Sequence, residues 1–184
     1  CTISSSTVTG VTAGNCIIAG NQAGNASYSA APQATQSFSI GRANQVIVFG
    51  TAPTVAVGGS GTVSATGGAS GNPVTFASTT AGVCTISGST VTGVTAGTCI
   101  ISANQAGNAN YNAAPQVTQT FSIGLGNQTI TFGTAPTIAV GGTGTVSATG
   151  GASGNAIVFT STTTSVCTIS GMTVTGVSAG TCTI

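Results

Sequence analysis

Hydrophobic residues in this chain come in short runs that alternate with Thr and Ser, and Gly, Asn, Ser or Pro interrupts them every few residues. Strict alternation over a few residues is the pattern of a strand with one buried face. No stretch carries apolar residues at helical spacing, and abundant Gly and β-branched residues disfavour helix. The pattern predicts strands over 45–49, 54–57, 61–66, 73–78, 83–87, 90–94, 97–103 and 116–123. Many short strands bounded by turn residues are the signature of an all-β sandwich.

The pattern also repeats. Cys1, Cys84 and Cys167 each open the string Cys-Thr-Ile-Ser, and Cys16, Cys99 and Cys182 each follow 15 residues later. The offset is 83 residues throughout, and residues 1–83 differ from 84–166 at only 20 positions. Repeats of solenoids and β-helices run to roughly 20 to 50 residues. A period of 83 is the size of a small domain with its own core. The copies also show which face is buried. Val46 and Val48 become Thr129 and Thr131, whereas Ile47 and Phe49 remain Ile130 and Phe132. Ile47 and Phe49 therefore point inward and their neighbours outward. The same alternation turns Val74, Phe76, Phe121 and Ile123 inward, and it sets Cys84 beside Ile86 and Cys99 beside Ile101.

Two Cys per copy, with none left over, predict the pairs Cys1–Cys16, Cys84–Cys99 and Cys167–Cys182. The intervening residues suffice for two strands and a turn, and inward-facing cysteines cannot reach a neighbouring chain. Closing a loop of about 16 residues stabilises by roughly 3 kcal/mol in the chain-entropy account. Disulfides persist in oxidising compartments, which predicts a secreted, extracellular or cell-surface protein.

Composition then narrows function. Among 184 residues there is one Arg (Arg42) and no Lys, Asp, Glu or His. General acid–base chemistry has no group to use, so the chain is expected not to be an enzyme. No cofactor or metal is expected: calcium wants carboxylates, and zinc wants Cys or His in closely spaced sets. One Arg makes no basic patch for nucleic acid, and no apolar run is long enough to span a bilayer. A near-zero net charge suits an assembly better than a free monomer.

The string Val83-Cys-Thr-Ile-Ser-Gly-Ser-Thr-Val-Thr-Gly-Val-Thr-Ala-Gly-Thr-Cys-Ile-Ile101 resembles the C-terminal half of bacterial immunoglobulin-like (Big-type) repeats. The segment Ala103-Asn-Gln-Ala-Gly-Asn-Ala-Asn-Tyr-Asn-Ala-Ala-Pro115 is similar to the link between such repeats in large surface proteins. The resemblance covers every copy. It implies tandem Ig-like β-sandwich domains, one intradomain disulfide each, in an adhesin, surface fibre or other long extracellular protein. The family's boundaries make residues 44–126 a complete repeat, 1–43 the C-terminal half of a preceding one and 127–184 the N-terminal part of a third. The chain is then a window into a longer array, or its broken halves complement one another head to tail.

The function expected is a structural repeat of an extracellular filament, fibre or stalk, with neighbouring repeats and chains as partners. The alternative is an adhesin module that contacts host or matrix glycans. Flat Thr arrays for binding ice or crystalline polysaccharide fit poorly with twisted strands, and an amyloid reading conflicts with the Pro and Gly punctuation. Arg42, which Leu125 replaces in the next copy, reads as a solvated linker residue. Tyr28 and Tyr111, one period apart, read as hydrogen-bonded loop anchors of the tyrosine-corner sort. The sequons at Asn25 and Asn127 lie at unrelated positions and read as chance, whereas the many Ser and Thr residues would accept O-linked glycans.

Overall fold

A computed structural model describes all 184 residues, and the protein is all-β with no helix. The chain divides into two units, Cys1–Gly126 and Asn127–Ile184. The first unit opens with β1 (Thr2–Ser4), β2 (Thr7–Thr9), β3 (Gly14–Gly20) and β4 (Ala34–Ile40). It continues through β5 (Val48–Phe49), β6 (Val55–Ala56), β7 (Ser60–Thr62), β8 (Ala65–Thr66) and β9 (Val74–Ser78). It closes with β10 (Cys84–Ser87), β11 (Thr90–Gly93), β12 (Gly97–Gln105) and β13 (Val117–Gly124).

Within residues 44–126 two sheets enclose one core. One runs β6-β13-β12-β9 and the other β10-β11-β7. Period two does the sorting: along β12, Cys99, Ile101 and Ala103 are all fully buried, and along β13, Phe121 and Ile123 face the same interior. The core joins Val55, Cys99, Ile101 and Ile123 of the first sheet to Cys84 and Val91 of the second, with Val63 beside them. Each such Val or Ile, fully buried, contributes roughly 1.5–3 kcal/mol. A smaller cluster of Ile47, Ala103 and Ala114 fills the other end, next to Phe49 and Phe76, whose ring centroids lie 5.9 Å apart.

Two predicted strands differ from those observed. The run 45–49 is ladder-paired only at Val48–Phe49, although its alternation holds: Ile47 is buried while Val46 and Val48 are exposed. The run 61–66 splits, with β7 pairing to β11 and β8 to β5. The chain changes partners at Val63–Ser64, and Val63 is driven inward there to 1% exposure.

The second unit repeats the same pieces as β14 (Thr131–Phe132), β15 (Thr143–Thr145), β16 (Ala148–Thr149), β17 (Cys167–Ser170) and β18 (Thr173–Gly176). The ladder β15-β18-β17 has the register of β7-β11-β10 shifted by one period. Its core holds only Val146, Cys167 and Val174 as buried residues. Ile130 and Phe132, inward by pattern, are 60% and 51% exposed. Their counterparts Ile47 and Phe49 pack with Ala103, Ala114 and Val117, residues without a counterpart among 127–184.

Candidate functional site

The elements that could serve a function here are a repeated disulfide lock, a buried amide network and the contact between successive copies. The lock comes first. Disulfides join Cys1 to Cys16, Cys84 to Cys99 and Cys167 to Cys182, with Cα atoms 5.9, 5.7 and 5.6 Å apart, and no cysteine is free. The middle bridge ties β10 of one sheet to β12 of the other, and both its residues are fully buried. Cys182 and Cys1, by contrast, are exposed residues.

A hydroxyl brace accompanies the lock. Ser78 Oγ donates to the Cys84 carbonyl at 2.7 Å and lies 3.4 Å from the Cys84 sulfur. Thr80 Oγ1 accepts the Ile100 amide at 2.9 Å. One period later Ser161 Oγ donates to the Cys167 carbonyl at 2.8 Å, and Thr163 Oγ1 accepts the Thr183 amide at 2.9 Å. A disulfide sulfur has no proton to give, and the one Ser78 hydroxyl proton goes to the carbonyl, so Thr80 Oγ1, 3.5 Å away, is the hydroxyl left to donate towards the Cys84 sulfur. The Ser-Thr-Thr strings at 78–80 and 161–163 carried this signal in the sequence, at a constant distance before each Cys.

The amide network was not anticipated. Gln45 and Gln105 are about 95% buried. The Gln45 amide nitrogen donates to the carbonyls of Ala106 (3.1 Å) and Asn112 (2.9 Å), while its oxygen accepts the Ser70 amide at 2.9 Å. The Gln105 oxygen accepts the Gly68 amide at 2.7 Å, and its nitrogen donates to the Asn72 carbonyl at 2.8 Å. Buried carboxamides must satisfy both ends or cost several kcal/mol. Here both ends are used, and the loop 67–72 is pinned to the loop 105–112. Gly68 is required by contact: a Cβ there would fall onto the Gln45 side chain.

The contact between copies uses that second loop. Asn108 Oδ1 accepts the amides of Asn110 (2.8 Å) and Tyr111 (3.0 Å), which turns the chain. Asn110 then meets residues from earlier in the chain: its carbonyl accepts the Ala43 amide at 2.8 Å, and its Oδ1 accepts the Ala13 amide at 3.0 Å. The Asn112 amide donates to the Ala43 carbonyl at 2.9 Å, and its side chain to Asn44 Oδ1 at 2.9 Å. Tyr111 bridges Ala43 through its backbone, and Tyr28 is 77% exposed. Neither tyrosine hydroxyl anchors its loop, contrary to expectation; the neighbouring Asn carboxamides do it. Arg42 is exposed.

No three His, Cys, Asp or Glu side chains converge, and no helix is long and apolar enough to cross a membrane. Comparison with protein-family models, curated proteins and solved structures finds no match to this chain.

Proposed function

We propose that the chain is a run of tandem Ig-like β-sandwich repeats, of the Big type, that acts as a passive structural element of an extracellular bacterial filament, fibre or stalk. The observation that carries this reading is the recurrence of one mechanical device. The disulfide and its Ser-Thr brace reappear at the 83-residue period with the same partners and nearly the same distances. A repeated lock without any titratable or metal-binding cluster serves resistance to unfolding and proteolysis better than it serves chemistry. The amides of Ala43 and Ala13, bonded to the Asn110 carbonyl and side chain, would stiffen the joint as a stalk requires. Near-neutral Thr, Ser and Asn faces would let neighbouring chains pack side by side, with O-linked glycans as a compatible coat. Three disulfides are consistent with an oxidising, secreted setting.

Single-molecule stretching tests the reading directly. Each complete repeat should unfold in one event, and the bridge should hide the 15 residues it spans from the extension. At about 3.3–3.6 Å per residue, adding a reductant should lengthen each event by about 50 Å. Equal event lengths with and without reductant, or a featureless extension, would sink the locked-stalk reading.

A further inference from the structure

Loop 105–112 is gripped from two sides, and all of its partners lie in the first unit. On one side it holds residues of the earlier copy. The Asn110 carbonyl and Oδ1 accept the Ala43 and Ala13 amides, while the Asn112 amide and side chain bond to Ala43 and Asn44. Ala13 directly precedes β3, which carries Cys16 of the first disulfide. On the other side the loop holds residues 67–72. Asn108 Nδ2 donates to the Ser70 carbonyl at 2.9 Å, Ser70 Oγ to the Ala106 carbonyl at 3.0 Å, and Asn72 Nδ2 to the Gly107 carbonyl at 2.8 Å. The buried Gln45 side chain bonds to both loops, through Ala106, Asn112 and Ser70.

The two sides share residues. Asn108 uses its oxygen to shape the turn that presents Asn110, and its nitrogen to hold Ser70. Asn112 gives its amide and side chain to residues 43 and 44, and its carbonyl to Gln45. The turn between them is tight: a Cβ on Gly107 would fall onto the Tyr111 carbonyl. A closely packed turn moves as a body rather than residue by residue. A shift at Asn110 therefore reaches the bonds to Ser70 and Gln45.

We propose that loop 105–112 couples neighbouring copies energetically. The Ala13 amide of one copy, docked on Asn110, holds the loop closed over the polar end of the next core, where Gln45 and Gln105 are buried. The surface is the outer side of this loop, and its partner is the Gly-Val-Thr-Ala-Gly turn at 10–14 of the adjoining copy, read through a backbone amide. The inference rests on taking the copies as successive repeats of one array, and it does not need the stalk role. Each copy's stability then includes a term from its neighbour, as in stacked repeats, rather than coming from its own core alone. Opening of loop 67–72 is the local event that this term opposes.

Amide hydrogen exchange on the full chain, followed by NMR, tests it at Gly68 and Ser70, whose amides bond to Gln105 and Gln45. Asn110→Ala removes the acceptor for Ala13 and should speed exchange at both amides on the order of 5-fold. Asn110→Asp keeps an acceptor oxygen and should retain the wild-type rates. Ala13→Pro removes the donor from the other copy and leaves loop 105–112 unaltered, so it should reproduce the effect of Asn110→Ala. The Ile101 amide, in β12 between β9 and β13, should keep its rate in every variant and so show that the core is folded. Faster exchange confined to Ala13 overturns the coupling, as does a wild-type rate at Gly68 in Ala13→Pro. Equal acceleration at Ile101 overturns this loop as the route. None of these results alters the reductant-dependent extension, so the stalk reading stands or falls separately.

Discussion

Gly88 sits in the two-residue turn between β10 and β11 with a φ of 58°, and Gly171 sits in the same turn one period later with 57°. The matching residue of the first copy is Ser5, the only non-glycine with positive φ, at 52°. A left-handed conformation costs an L-residue roughly 1–2 kcal/mol, and Gly avoids it for want of a Cβ. A Cβ on Gly88 would meet nothing within 4 Å, so the cost of a side chain there is one of backbone alone. Gly88→Ser should therefore destabilise by about 1 kcal/mol, read as a lower denaturation midpoint with an unchanged slope. An unshifted midpoint would show that the turn relaxes. The copies display this substitution, yet its direction is not legible from residue types, because Ser and Gly are both common in turns.

At the scale of elements, alternation made most of the fold legible. It placed Ile47, Val74, Phe76, Phe121, Cys84 and Cys99 inward, and the period supplied the repeated unit. Two things escaped it. The run 61–66 reads as a continuous strand, and only the competition between two sheets for its halves breaks it at Val63. The Gln45–Gln105 network escaped because glutamine is ordinarily a surface residue. Its burial comes from loops that close over it, which is a long-range effect. This contrast yields a prediction between copies. Gln105→Ala would strand the Gly68 amide and the Asn72 carbonyl in a half-buried site, costing on the order of 1–2 kcal/mol. Gln22, the same residue one period earlier, is exposed, and Gln22→Ala should shift the midpoint by less than about 0.5 kcal/mol. Chemical denaturation of both variants, with hydrogen exchange at Gly68, separates the cases. Equal effects would mean that the pinning of loop 67–72 adds nothing to the stability of the repeat.

The whole molecule has an unusual electrostatic character: apart from Arg42 and its termini, the chain offers water no charge near neutral pH. Stability varies with pH only where folded and unfolded states bind different numbers of protons. Acid denaturation of ordinary domains proceeds by protonating paired carboxylates and charging buried histidines, and this sequence has neither. The unfolding free energy should therefore stay level between about pH 4.5 and 7, within about 0.5 kcal/mol. Salt should matter as little, since there is no ion pair for it to screen. Urea denaturation at several pH values, at low and high sodium chloride, checks both. A fall of more than about 1 kcal/mol towards acid would mean that the termini couple strongly to folding. A comparable change with sodium chloride would overturn the expectation that charge adds nothing to folding. The same neutrality makes solubility the weak point of the separated chain, because molecules that cannot repel one another approach freely.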